Sequence, residues 1–117
     1  MNDPKTSHLL ESLARCAAEC WSCANACLGE EHVQHMTDCI RTDLDCADIC
    51  TLTARLVARG SPYAEDMLQR CAAICKACEE TCRAHADEHC QHCANVCQQC
   101  FEACTKYPQV AAEAVPA

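Results

Sequence analysis

The chain's cysteines recur in steps that are almost always three or four residues. The sixteen cysteines fall into four groups: Cys16, Cys20, Cys23 and Cys27; Cys39, Cys46 and Cys50; Cys71, Cys75, Cys78 and Cys82; and Cys90, Cys93, Cys97, Cys100 and Cys104. Alternating steps of three and four place residues on one face of an α-helix, whereas a β-strand would need steps of two. The spacing therefore predicts four helices, each carrying a stripe of thiols.

Turn-forming and capping residues separate these groups. Their assigned roles are Gly29 and Gly60 as helix ends, Ser61 and Pro62 as N-cap and first-turn proline of the third helix, Asp87 as N-cap of the fourth, and Pro108 as its end. These signals follow the usual chemistry of helix starts and stops. The predicted helices cover about residues 7–28, 31–59, 62–85 and 88–106, with a loose tail over 108–117.

The short connections predict a single all-α domain over residues 1–117, because helices joined by short loops pack antiparallel. The expected fold is an up-down-up-down four-helix bundle. Its two halves look like a duplicated helical hairpin, since Cys16-Ala-Ala-Glu-Cys20 recurs as Cys71-Ala-Ala-Ile-Cys75. In this repeat Cys97 corresponds to Asp43, and Cys90 corresponds to Met36.

The cysteine positions also predict how the helices are aligned. Residues that face each other on antiparallel helices have position numbers with a constant sum. That holds for 16/50, 20/46, 23/43 and 27/39, and again for 71/104, 75/100, 78/97 and 82/93. The thiols are therefore expected in layers along the bundle axis. Asp43 occupies one cysteine position, and either its carboxylate points inward near Cys23, Cys78 and Cys97, or helix 2 rotates and turns Thr42 inward.

The same alignment predicts different chemistry at the two ends of the bundle. One end is expected to be an apolar plug of Leu9, Leu13, Thr53, Val57, Leu68 and Tyr107. The other gathers candidate auxiliary or uptake ligands: His35, Met36, His85 and His89 beside Cys90, with His32 and His92 nearby. Exposed polar turn residues and simple core packing of Met36 are the alternatives at this end.

Composition explains why the thiols should form the core. Leu, Ile, Val and Phe make up less than about 20% of the chain, a level typical of disorder unless something else is buried. A free thiol packs as a small hydrophobe, and its thiolate is a soft metal ligand. The sixteen cysteines are therefore predicted to be both the core and a metal site.

Among metals that prefer thiolates, Cu(I) fits this arrangement best. Zn(II) is usually held by isolated tetrahedral quartets, whereas these cysteines form continuous helical stripes. Buried thiolates are costly unless cations neutralise them, and Cu(I) balances thiolate one to one. The chain lacks the compact run of cysteines found in ferredoxins, which disfavours an iron–sulfur protein. Disulfides within a helix are excluded by geometry, although bridges between helices stay open. The expected cargo is multiple Cu(I) ions per chain.

Charge and motif content narrow the function further. The formal net charge of -8 disfavours nucleic acid and anionic membranes as partners. No apolar run long enough for a membrane span and no signal peptide are visible, which predicts a cytoplasmic protein with reduced thiols. No catalytic grouping appears, so no enzymatic activity is expected. The alternatives are a metallothionein-like Zn(II)/Cd(II) buffer or a thiol redox protein, which would need one activated, exposed thiol.

These features together resemble a known family, the cytosolic branch of the bacterial copper storage proteins. The resemblance covers roughly residues 8–107 and includes the four cysteine stripes and the histidine-bearing end. It implies Cu(I) storage within each bundle and a homotetramer of bundles, and a copper chaperone is a candidate delivery partner. Five residues off the stripes are expected either between protomers or between helices of one bundle: Trp21, Ile40, Leu44, Leu52 and Leu56. At position 43 the chain has an aspartate where a core lined entirely by cysteines would have a thiol.

Overall fold

The structure, a computed structural model, describes the backbone of residues 3–114 and the side chains of residues 3–107. Its helices are α1 (Pro4–Leu28), α2 (Thr37–Ala58), α3 (Ala64–Arg83) and α4 (Glu88–Ala114), and a short 3-10 turn, Val33–Met36, precedes α2. All regular secondary structure in the described residues is helical, which confirms the all-α fold.

The helices form an elongated bundle measuring 56 × 20 × 19 Å. Helix α1 packs against α2 and α4, and α3 packs against the same two helices, so α1 and α3 are diagonal to each other. This is the arrangement of an up-down-up-down four-helix bundle. In the described part of the chain, no helix is both long enough and apolar enough to cross a membrane.

Two helix ends show clear capping. At the start of α1, Asp3 Oδ1 accepts a hydrogen bond from the Thr6 backbone N–H at 2.8 Å, with Pro4 in the first turn. The helix therefore begins about one turn before the predicted position. At the end of α2, Gly60 adopts φ 63° and Ser61 N–H donates to the Leu56 carbonyl at 2.9 Å. This is a Schellman motif, which a residue with a Cβ would strain.

The predicted starts of the second and third helices were wrong. Helix α2 begins at Thr37 because residues 33–36 form a 3-10 turn that buries Met36. Helix α3 begins at Ala64, after a turn at residues 62–63. Ser61 is therefore not its N-cap; the Ser61 Oγ instead accepts from the Tyr63 backbone N–H at 3.1 Å. Asp87 directly precedes α4 as predicted, and its carbonyl accepts from the Cys90 and Gln91 backbone N–H groups at 3.0 Å.

Pro108 does not close the last helix, contrary to the prediction. Helix α4 runs through Pro108 to Ala114. A proline removes one backbone donor and crowds the carbonyl of the preceding turn, but its fixed φ is helical, so a helix can continue past it with a local bend. The rest of the predicted tail, residues 115–117, lies outside the described residues.

The buried core consists mainly of cysteine. All sixteen cysteines are buried and carry free thiols. The space between them is filled by small residues such as Ala17, Ala47 and Ala94. Small neighbours allow the helices to approach closely enough for their thiols to meet. The cysteines predicted to form the core therefore do form it.

The end of the bundle opposite the histidines is closed by the predicted apolar plug. Leu9, Leu13, Val57 and Leu68 are buried there. Thr53 is also fully buried, with its hydroxyl donating to the Ile49 carbonyl at 2.6 Å. The half-buried Tyr107 hydroxyl lies 2.8 Å from the Thr6 hydroxyl, which ties α4 to the start of α1.

The off-stripe residues divide into two kinds. Leu56 is buried within the bundle and therefore packs between its helices. Ile40 is half-buried. Trp21, Leu44 and Leu52 are exposed on the surface of the bundle, at 48%, 45% and 42%.

Candidate metal centre

The cysteine side chains converge on the interior of the bundle and form what we call the thiol tube, the set of all sixteen Sγ atoms. Sulfur atoms from neighbouring helices lie close together: Cys20 and Cys97 are 3.7 Å apart, and Cys50 and Cys71 are 3.6 Å apart. The shortest of these distances, 3.2 Å, joins Cys39 on α2 to Cys82 on α3.

Sulfur atoms also meet across the diagonal of the bundle. Cys20 Sγ on α1 lies 3.9 Å from Cys78 Sγ on α3, and Cys39 Sγ on α2 lies 3.9 Å from Cys90 Sγ on α4. Diagonal helices can share such contacts only if their side chains reach the bundle axis. The tube therefore has sulfur along its centre rather than four separate sulfur-lined walls.

The thiols form overlapping groups in which four Sγ atoms all lie within 4.8 Å of one another. These groups include Cys16/Cys46/Cys50/Cys75, Cys16/Cys20/Cys46/Cys97, Cys20/Cys78/Cys93/Cys97, Cys23/Cys27/Cys39/Cys90 and Cys50/Cys71/Cys75/Cys100. Several cysteines belong to two groups, so one sulfur can bridge two ions. A structural zinc site, by contrast, uses four ligands for one ion in a closed tetrahedron.

Asp43 points into the thiol tube, which decides between its two predicted orientations. It is fully buried, and its Oδ1 accepts hydrogen bonds from the thiols of Cys78 at 3.2 Å and of Cys82 and Cys93 at 3.4 Å. Cys39 donates to Oδ2 at 3.7 Å. Two of the three predicted neighbours, Cys78 and Cys23, do interact with the carboxyl group. The remaining contacts lie nearer the histidine end than the constant-sum pairing implied.

The rotated alternative for helix 2 is wrong. The Thr42 hydroxyl donates to the Asp38 backbone carbonyl at 2.8 Å, which keeps this side chain on the helix surface. Burial raises the pKa of Asp43 to about 8. The four thiol donors offset part of the desolvation of this carboxyl group.

His89 is the histidine that contacts the thiol tube within the described side chains. Its Nδ1 lies 3.5 Å from Cys90 Sγ, 3.7 Å from Cys23 Sγ and 3.9 Å from Cys27 Sγ. Its Nε2 lies 3.0 Å from Glu30 Oε1. The ring is 25% exposed, so it lies between solvent and the first thiols.

The other predicted histidines lie farther out. His85 Nε2 contacts Asp38 Oδ1 at 3.1 Å, and His32 Nε2 contacts Asp87 Oδ2 at 3.5 Å. His92 is exposed and pairs with Glu19 at 3.3 Å. His35 is exposed, whereas Met36 is fully buried in the core. We call His32, His35, Met36, His85, His89 and Cys90 together the histidine mouth.

Sequence reasoning missed the acidic partners of these histidines. Glu30 and Asp38 each contact an imidazole of the mouth. The available signal was their position beside the predicted turn between the first two helices, the turn expected to lie next to His85 and His89. The spacing of the cysteines carries no information about side chains on that turn.

Two thiols near the mouth, those of Cys27 and Cys90, favour the protonated form in the metal-free protein. Burial raises the pKa of Cys27 to about 12. Burial also raises the pKa of Cys90. A metal ion that binds these sulfurs must therefore displace protons, so its binding becomes tighter as pH rises.

The sequence model of the copper storage protein family matches residues 2–109. The chain belongs to this family. The match includes every cysteine, the plug and the histidine mouth, so the family assignment applies to the whole bundle.

Solved structures agree with this assignment. A cytosolic copper storage protein from Streptomyces lividans, in a form with five coppers, is 42% identical and superposes with a TM-score of 0.85, covering 88% of this chain and 91% of its own. The Cu(I)-bound copper storage protein BsCsp3 of Bacillus subtilis is 38% identical, with a TM-score of 0.83 and coverage of 88% and 97%. A cysteine-rich Bacillus subtilis protein, YhjQ, is 39% identical over 76 residues, which span 65% of this chain and 70% of YhjQ.

Proposed function

We propose that this protein stores multiple Cu(I) ions on the thiolates of its sixteen cysteines and catalyses no reaction. The observation that carries the proposal is the set of overlapping four-thiol groups along the bundle axis. Shared sulfurs suit bridged Cu(I), whose single charge balances one thiolate per ion. The five-copper form of the Streptomyces lividans relative and the Cu(I)-bound form of BsCsp3 support the same cargo.

The alternatives fit the tube less well. Filling it with Zn(II) or Cd(II) as separate tetrahedral quartets would leave each quartet with excess negative charge in a buried site. A thiol redox protein needs an exposed, activated thiol beside a resolving partner, whereas all sixteen thiols here are buried.

Anaerobic titration of the reduced protein with Cu(I) tests this function directly. Against a competing chelator, with native mass spectrometry as the readout, we expect saturation on the order of one Cu(I) per cysteine, because each sulfur can bridge two ions. A parallel Zn(II) titration serves as the control and should stop at a handful of ions. Saturation with Cu(I) at about four ions would contradict the bridged tube.

The location and assembly of the protein are part of the proposal. A cytoplasmic site would keep the thiols reduced, and the Streptomyces lividans relative is a cytosolic protein. The exposed apolar side chains of Trp21, Leu44 and Leu52 are candidate contacts between protomers of a homotetramer. A copper chaperone is the candidate delivery partner, docking near the histidine mouth.

We further propose that copper enters at the histidine mouth, because the apolar plug closes the opposite end. His89 already contacts three thiols through Nδ1, and imidazole or thioether can hold Cu(I) more weakly than thiolate does. His85, His35 and Met36 would serve as auxiliary ligands near it, with His32 and His92 farther out. Asp43 lies beyond them inside the tube.

Replacing His85 and His89 together by alanine should slow Cu(I) loading by on the order of tenfold while total capacity falls by at most a few ions. The reason is that ligands on the uptake path govern rate more than capacity. Stopped-flow loading measurements followed by copper analysis provide the readout. Leu13→Ala, which opens the plug, is the matched control and should leave the loading rate unchanged. Normal loading in the histidine double variant, with altered loading in Leu13→Ala, would reverse the assigned direction.

A further inference from the structure

His89 lies between a carboxylate on one side and three thiols on the other. Glu30 Oε1 is 3.0 Å from Nε2, and the sulfurs of Cys23, Cys27 and Cys90 are 3.5–3.9 Å from Nδ1. Both imidazole nitrogens are therefore engaged, each with a different kind of partner.

Glu30 is well placed to hold this geometry. It directly follows Gly29, the C-cap residue of α1, and its backbone N–H donates to the Cys27 carbonyl at 3.2 Å. The backbone of Glu30 is thus fixed to a residue that bears one of the thiols facing His89. Its side chain is 32% exposed, so solvent competes only partly for the hydrogen bond.

The chemistry of the pair determines which nitrogen carries the proton. An ionised carboxylate only accepts hydrogen bonds, so the neutral imidazole must place its N–H at Nε2 to satisfy Glu30. The lone pair of Nδ1 then faces the thiols and is free to bind a metal ion. Carboxylate partners orient metal-binding histidines and fix their tautomer in this way.

Within the side chains that the structure describes, the imidazole–carboxylate pair of His92 and Glu19 lacks the contact with thiols. His92 Nε2 contacts Glu19 Oε1 at 3.3 Å, yet among the described side chains no thiol contacts the His92 ring. His92 is also 58% exposed. The Glu19–His92 pair therefore has the same chemistry as Glu30–His89 without the connection to the tube, which makes it a natural control.

We propose that Glu30 is a positioning residue that holds His89 in the Nε2–H tautomer, with Nδ1 aimed to receive Cu(I) and pass it to the thiols of Cys23, Cys27 and Cys90. This inference rests on the proposed function. In the transfer, a Cu–S bond forms at a thiol such as Cys27, its proton leaves to solvent water, and the Cu–Nδ1 bond breaks. The Nε2–H of His89 keeps its hydrogen bond to Glu30 throughout, so the ring stays oriented for the next ion.

Substitutions at Glu30 separate positioning from simple charge attraction. Glu30→Ala removes both the acceptor and the charge, whereas Glu30→Gln keeps an acceptor oxygen and removes the charge. Nitrogen-15 NMR of the reduced, metal-free protein reports the His89 tautomer, and stopped-flow mixing with Cu(I) reports loading. Glu19→Ala and Glu19→Gln are the matched controls.

We expect Glu30→Ala to lose the dominant Nε2–H tautomer of His89 and to load Cu(I) more slowly, on the order of tenfold, with unchanged capacity. Glu30→Gln should retain most of the tautomer preference and most of the loading rate. Both Glu19 variants should match the unaltered protein in both measurements.

Two results would overturn the proposal. One is an unchanged His89 tautomer in Glu30→Ala. The other is equal slowing in Glu30→Gln and Glu30→Ala, which would assign Glu30 to charge attraction alone. Failure of the proposed storage function would be seen separately. It would appear as a low Cu(I) capacity of the unaltered protein, whichever tautomer His89 has in the metal-free state.

Discussion

Filling the thiol tube with Cu(I) should raise the melting temperature by more than about 20 °C over the reduced, metal-free protein. A ligand at a thousandfold excess over its dissociation constant stabilises a folded protein by about 4 kcal/mol per site. Several such sites would exceed the entire stability of a typical small domain, about 5–15 kcal/mol. Each 1 kcal/mol shifts the melting temperature by about 4–8 °C in a domain of about 60–100 residues and by about 2–4 °C in one of about 150–250 residues.

The metal-free protein should nevertheless be folded. Protonated thiols pack as small apolar groups, and the plug of Leu9, Leu13, Val57 and Leu68 contributes a conventional apolar cluster. Circular dichroism of the reduced protein in a chelator should therefore show helix, and its melting curve supplies the baseline for the copper-loaded sample. A random coil without metal, or copper-loaded and metal-free melting temperatures within a few degrees, would contradict this picture.

Asp43→Asn should stabilise the metal-free protein at neutral pH and remove much of its pH dependence. The folded-state pKa of Asp43 is raised to about 8 from the usual 3.8, so the folded protein holds a proton that the unfolded chain releases between these values. Stability from this group is fully present below about pH 4 and is lost as pH rises through about 8. At 1.36 kcal/mol per pKa unit, the effect is on the order of 5 kcal/mol.

Urea unfolding of the natural protein and of Asp43→Asn, between about pH 4 and 8, measures this effect as the difference between their unfolding free energies. The unfolding free energy of the natural protein should fall with rising pH, and the curve for Asp43→Asn should be flatter. Asp45→Asn is the control, because Asp45 lies on the same helix with an exposed side chain. Parallel curves for the natural protein and Asp43→Asn would mean that Asp43 is ionised in the folded state throughout, held so by its thiol donors.

The cysteine spacing was enough to predict the fold and the convergence of the thiols, because in this protein one residue type forms the core and is also the candidate ligand. In most helical bundles the apolar stripe predicts packing and says nothing of chemistry. Here the same stripe predicts the helix faces, the antiparallel pairing and the soft ligand set. The plug was predictable for the same reason, since Leu9 and Leu13 continue the stripe of α1 beyond Cys16.

The inward position of Asp43 could not be decided from the sequence. The stripe position alone favours an inward side chain, whereas the cost of burying a carboxyl group favours an outward one. The structure resolves this conflict with thiol donors from α2, α3 and α4. Apart from Cys39, which lies one turn away on the same helix, those donors come from residues distant in sequence, and their convergence depends on the relative rotation of the helices.

The errors at helix ends have local causes. Ser61 and Pro62 are typical of a helix start, but the chain makes a further turn before Ala64. Pro108 is typical of a helix end, but α4 continues to Ala114. The Glu30–His89 contact joins the turn after α1 to the first turn of α4, and no periodic pattern predicts such a contact.

The close approach of Cys39 and Cys82, with sulfurs 3.2 Å apart on different helices, has a consequence for oxidative stress. Their separation is near enough to a disulfide bond of about 2.05 Å that a small shift of α2 against α3 would bring them into bonding range. Oxidation there would remove two ligands near Asp43 and fasten two helices together. Copper bound to those sulfurs would occupy the lone pairs that an oxidant attacks. The metal-free protein is therefore the form in which this pair of thiols is open to oxidation.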